Sequence, residues 1–132
     1  MIGFFCFAKD YRRLYVLYSN TKGREKDTIA VITDGLQKGV LQPSAEIYSV
    51  LGEDYYATNQ VPQAIDAYKK ADAASTDGEA ALNLARVYNN EGRKEEAKAA
   101  AQHALQKGVQ NQKDAHTFIG AGAESKKPGK KK

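Results

Sequence analysis

Residues 48–71 read YSVLGEDYYATNQVPQAIDAYKKA, and the spacing inside this stretch decides the fold. Tyr48, Leu51, Gly52 and Tyr55 recur at intervals of three and four, which places them on one face of a helix. Ala64, Tyr68 and Ala71 do the same in the second half. TNQVP lies between, with Pro62 suited to the first turn of the helix it opens. Gly52, Ala64 and Ala71 are small where two helices must approach closely. The stretch predicts a helical hairpin.

The same hairpin recurs on both sides. At a constant offset of 33, Ala81, Leu84, Ala85 and Tyr88 answer the first half, and Ala97, Ala101 and Ala104 the second. Upstream, Tyr11, Leu14 and Tyr18 match the first half, but Tyr15 takes the small residue's place. Thr28, Ile32 and Gly35 follow one residue late, as an extra residue in the turn NTKGRE would cause. The pentapeptide LQKGV at 36–40 and again at 105–109 reads as a helix stop. Its Lys faces the negative end of the macrodipole, its Gly takes the left-handed conformation, and its Val packs back. Helices are predicted near 8–19, 26–38, 44–59, 62–75, 78–90, 94–107 and 112–120, fading after Ala121.

The skeleton Tyr48, Leu51, Gly52, Tyr55, Ala64, Tyr68, Ala71 resembles the tetratricopeptide repeat (TPR) family, although Thr76 stands near the place of its closing proline. The resemblance covers roughly residues 8–123. It implies an all-α chain: an α-solenoid of about three TPR-like hairpins (units about 8–44, 45–77 and 78–110) with a terminal half-repeat helix at 111–123. Together these make one repeat domain over 1–123, with a disordered Lys-rich tail at 124–132. GVLQPS, DGEAALNLARVY and the QKGV ending are also similar to parts of larger periplasmic TPR proteins that accompany TonB-type systems.

Composition fits that class. At 132 residues, 42% hydrophobic and 27% charged, the chain reads as a small globular domain. Of 20 basic and 16 acidic residues, five lysines and one glutamate lie in ESKKPGKKK, which leaves 15 of each in the body. The basicity is therefore a tail, and nucleic-acid binding through it ranks last among the readings. No run of about 18 apolar residues exists to span a membrane. MIGFFCF at 1–7 lacks a basic n-region and a small-residue cleavage site, so the chain as written reads as cytoplasmic, or periplasmic if it is a fragment of a longer secreted TPR protein. Cys6 is the only cysteine and excludes an internal disulfide.

Chemistry-bearing patterns are scarce. The two histidines, His103 and His116, fall in no metal-ligand spacing, and no HExxH, CxxC, GxSxG or phosphate loop appears. The expectation is no catalytic residue, no metal and no cofactor. What remains is a second stripe on each first helix: Lys9, Arg12, Val16, Ser19; then Glu46, Ser49, Glu53, Tyr56; then Glu79, Leu82, Arg86, Asn89. In the TPR family this concave face commonly binds peptides or helices. The resemblance therefore implies a non-catalytic scaffold holding a protein or peptide partner on Arg12, Glu46, Ser49, Glu53, Tyr56, Glu79, Leu82, Arg86 and Asn89. The alternative is an oligomerisation module of a larger envelope complex, a homodimer through Phe4, Phe5 and Phe7 being one form.

Overall fold

The computed structural model describes residues 8–124, without the side chains of residues 8–9 and 121–124. The expected dimer contact at Phe4, Phe5 and Phe7 lies outside the described residues, and so does the tail beyond Glu124. Seven helices follow in order among the described residues: α1 (Ala8–Ser19), α2 (Glu25–Gln37), α3 (Ala45–Ala57), α4 (Val61–Ala74), α5 (Glu79–Asn90), α6 (Lys94–Lys107) and α7 (Gln112–Glu124). They lie within two residues of the predicted bounds, except that α7 runs on past Gly120. Glycine in a helix interior costs about 1 kcal/mol, and the packing of α7 on α6 offsets it. The chain divides into two compact units at Ala71/Asp72.

In the first unit α1 packs on α2 and α2 on α3. Tyr11, Tyr15, Ile32, Leu41, Ile47, Leu51 and Ala67 form its buried cluster. Tyr15, the departure from the small-residue pattern, is only 1% exposed. The repeats show how it is accommodated. A Cβ at Gly52 would stand 2.8 Å from the Tyr68 ring, so the large residue there comes from the second helix. In the hairpin of α1 and α2, Tyr15 stands at the place of Gly52 and Ile32 at the place of Tyr68, and both are large and buried. In the hairpin of α5 and α6 both places hold alanine, Ala85 and Ala101, each fully buried. The volume at this crossing is thus not held constant: the first hairpin fills it with two large residues, the second with one and the third with two methyl groups, each pair buried or in contact.

Both copies of LQKGV end helices as expected, with Gly39 at φ 74° and Gly108 at φ 87°. The first is a full Schellman cap: Gly39 N donates to the Leu36 carbonyl at 3.1 Å and Val40 N to the Gly35 carbonyl at 3.0 Å. In the second, Gly108 N donates to Leu105, while the Ala104 carbonyl, equivalent to that of Gly35, lies against Gly78. A Cβ on Gly78 would come within 2.2 Å of that oxygen. Val109, the cap's hydrophobic partner, is buried.

The hairpin turns are a second repeated device. Gly23, Asn59 and Gly92 all have positive φ, and the following helix begins two residues on. Gln60 N donates to Tyr55 O and Arg93 N to Tyr88 O, both at 2.8 Å. Arg24 and Arg93 lay their guanidinium groups over Tyr18 and Tyr88, 4.5 and 4.7 Å from the ring centroids. Each also pairs with an acid three residues on, Asp27 or Glu96, in the first turn of the helix.

In the second unit α5 packs on α6 and α7, and α6 on α7. Ala80, Ala81, Leu82, Leu84, Ala85, Val87 and Tyr88 of α5 are all buried, against Ala97, Ala100, Ala101 and Ala104 of α6. The last turn of α4 is tied to α6 by Asp72, whose carboxylate takes Lys107 Nζ and His103 Nε2, each at 2.9 Å.

Candidate interaction site

In the first unit, α1 and α3 bring part of the predicted stripe together. Arg12 Nη2 reaches Glu46 Oε1 at 3.1 Å, and both side chains are more than half exposed. Along α3, Glu53 is exposed while Ser49 and Tyr56 are half-buried. The row is polar and carries a cation, two carboxylates, a hydroxyl and a phenol. Such groups can form charge-assisted bonds, and the phenol adds one amphipathic ring.

In the second unit the stripe is largely engaged within the fold. The Glu79 carboxylate accepts from Gln110 N at 2.8 Å, just ahead of α7. Arg86 donates to Asp114 of α7 at 2.7 Å and to Asn83 at 2.6 Å. Asn89 accepts from Lys94 at 2.9 Å. Leu82 is 0% exposed, so it is a core residue and not a surface contact. Spacing alone misassigned it, because apolar residues occupy most of the circumference of α5; Asn83, Arg86 and Asn89 are half-buried, and only the helix ends, Glu79 and Asn90, are exposed.

Two features of the first unit were missed in the sequence. One is an open groove of about 620 Å³ across α2, α3 and α4, with Tyr48 and Tyr55 as walls, Leu36, Leu51 and Ala67 beneath, and Lys70 at its rim. Lys70 Nζ stands 5.8 Å from the Tyr48 ring centroid and 3.3 Å from Asp66. Tyr48 and Tyr55 each sit one residue before Ser49 and Tyr56, hence about 100° round the helix from the stripe. Both are half-buried.

The other is Asp54. Glu53 and Asp54 are adjacent on α3 and so point about 100° apart. Glu53 is exposed, but Asp54 is 7% exposed and its Oδ2 has no hydrogen-bond partner. Burial first, then the charges of Glu53 and Glu25, push its carboxyl up to about 6, against a weaker opposite pull from Thr28. No spacing rule distinguishes such an aspartate from an exposed one. Among the described residues no group of three or more His, Cys, Asp or Glu is placed to hold a metal ion, and no helix is long and apolar enough to cross a membrane.

The arrangement of hairpins is that of TPR proteins of known structure. The crystal structure of a MamA protein aligns with a TM-score of 0.73 at 24% identity, over 90% of this chain and 63% of that one. A thermophilic TPR protein of Thermus thermophilus, TTC0263, aligns with a TM-score of 0.63 at 23% identity, over 88% of this chain and 60% of its own. A second MamA structure gives 0.65 at 21% identity, over 89% and 81%. The chain thus spans less than two thirds of the first two proteins. No family model and no curated relative matches the sequence. The fold is all-α, of the TPR-like helical-repeat class.

Proposed function

We propose that this chain is a non-catalytic protein-interaction scaffold, which takes an extended peptide or a helix of a partner protein along the polar faces of its first helices. The observation that carries the reading is the continuous row in the first unit, from Arg12 of α1 through Glu46 to Ser49, Glu53 and Tyr56 of α3. Neighbouring first helices there hold charged and aromatic groups side by side at a helix surface, as a binding strip needs. In the second unit Arg86 and Asn89 of α5 form a separate, smaller proposed contact patch, and Leu82, which is buried, is not part of it. Mixed charge suits a partner segment that is itself mixed in charge, because each carboxylate and guanidinium then finds a counterpart.

The test is a binding measurement on a partner identified by cross-linking from residue 53. Glu53→Ala with Tyr56→Ala should weaken that complex by roughly 1–3 kcal/mol without lowering the melting temperature. Binding that survives this change but falls on Tyr48→Ala or Gln63→Arg would move the site to the aromatic groove and overturn the assignment.

A further inference from the structure

Compared turn by turn, the middle hairpin lacks a device that the other two carry. After Gly23 and after Gly92 comes an arginine, Arg24 or Arg93. Each guanidinium lies over the tyrosine near the end of the preceding helix, Tyr18 or Tyr88. Each is held there by the acid three residues on, Asp27 or Glu96. After Asn59 the same place holds Gln60, and the residue three further on is Gln63. Gln60 turns its amide to the Thr58 hydroxyl, 2.8 Å away. Tyr55 is the corresponding tyrosine, and among the described residues no cation lies over its ring. Tyr88 is buried, whereas Tyr55 is half-buried. Tyr55 and Gln63 both line the groove across α2, α3 and α4, so the two residues that would flank the missing guanidinium both face that groove.

We propose that the groove binds an arginine of a partner protein, its guanidinium stacked on Tyr55 in place of the missing internal one. Arginine suits the place better than lysine, because its planar head can stack on a ring and donate hydrogen bonds in its own plane at once. Two acceptors stand on α4 at the groove: the Gln63 amide and, one turn on, the Asp66 carboxylate. Lys70 pairs with Asp66 at 3.3 Å, but both side chains are more than half exposed, where such a pair is worth little and yields readily. The groove, about 620 Å³, is larger than one arginine needs, and Leu36, Leu51 and Ala67 beneath it fit an apolar residue beside that arginine. The occupant is thus a peptide segment in which arginine adjoins leucine or a similar side chain. This site is separate from the polar row of α1 and α3 and does not rest on it.

The probes are acetyl-Leu-Arg-Leu amide and its citrulline counterpart, equal in shape but uncharged, titrated onto the full chain by NMR. The arginine peptide should bind about fivefold more tightly than the citrulline peptide and shift the Tyr55 ring resonances. Gln60→Arg with Gln63→Glu rebuilds the device of the other hairpins, so the chain caps its own tyrosine. That variant should lose the arginine preference while its melting temperature holds or rises, an outcome that damage to the fold cannot imitate. Tyr55→Leu keeps an apolar wall without the π face and should bring the two peptides to equal affinity. Equal binding of the two peptides to the native chain, or none, overturns the proposal. So does an arginine preference that persists in Tyr55→Leu or in the rebuilt variant. Loss of the preference in Glu53→Ala with Tyr56→Ala overturns it in favour of the polar row. A concentration-dependent dimer that the rebuilt device abolishes overturns it in favour of an arginine from a second copy.

Discussion

The carboxyl group of Asp54 is harder to ionise in the fold than in the open chain, and this sets a pH dependence of known sign. Its pKa is raised from 3.8 to about 6. Between those values the folded state holds more protons than the unfolded one, so stability falls as pH rises through the window. The penalty is complete above the folded value and amounts to about 2–3 kcal/mol. Asp54→Asn should therefore stabilise the protein by that order at pH 7 and by almost nothing at pH 4, read from urea titrations at the two pH values. The close approach of Gly52 to the Tyr68 ring gives a second residue-scale test. Gly52→Ala pushes a methyl against the Tyr68 ring, and Tyr68→Ile leaves a void; each alone should cost about 1–3 kcal/mol. Combined, the smaller Ile leaves room for the new methyl at position 52, so a double-mutant cycle should show a favourable coupling above about 0.5 kcal/mol. Strict additivity would mean that the two residues do not share one space.

For single elements, the helix ends are the informative places. A Cβ at Gly39 or Gly108 would meet nothing within 4 Å. Any cost of substitution there is conformational, arising from positive φ and not from collision. Gly39→Val should destabilise by about 1–3 kcal/mol, and Gly39→Asn by distinctly less, since Asn tolerates the left-handed region. Asn59 at φ 65° already does so between α3 and α4. Chemical denaturation of the two variants measures the difference, and equal losses would point to packing instead. Gly78 is the opposite case. It has room for no side chain beside the Ala104 carbonyl, so Gly78→Ala should move the start of α5 and lower the melting temperature.

At the scale of the whole molecule, repeat architectures take their stability from each hairpin and its neighbour. A core lesion should therefore be felt locally first. Ala85→Leu overpacks a fully buried place in the second unit, at a cost of about 1–3 kcal/mol. Hydrogen exchange should show the loss of protection concentrated in α5, α6 and α7, with α1 to α3 changed less. A uniform loss along the chain would mean that it unfolds as one cooperative block.

Helix positions, hairpin pairing and cap geometry were legible in the sequence because each is a local matter. A period of three and four residues, a turn residue that accepts positive φ and an offset of 33 all act over one or two turns of chain. LQKGV is the clearest instance, since both glycines adopt the conformation that five letters demand. The candidate site was legible only in part. Arg12 and Glu46, 34 residues apart and named from separate helices, form an ion pair. Leu82 did not stay on the surface, and Arg86 was taken up by Asp114 on a helix 28 residues away. Tertiary structure alone decided these, together with the burial of Asp54 and the groove beside Tyr48 and Tyr55. Periodicity tells which residues share a face of a helix, whereas burial depends on how many neighbours pack against that helix. Long-range packing sets that number, and no local spacing encodes it.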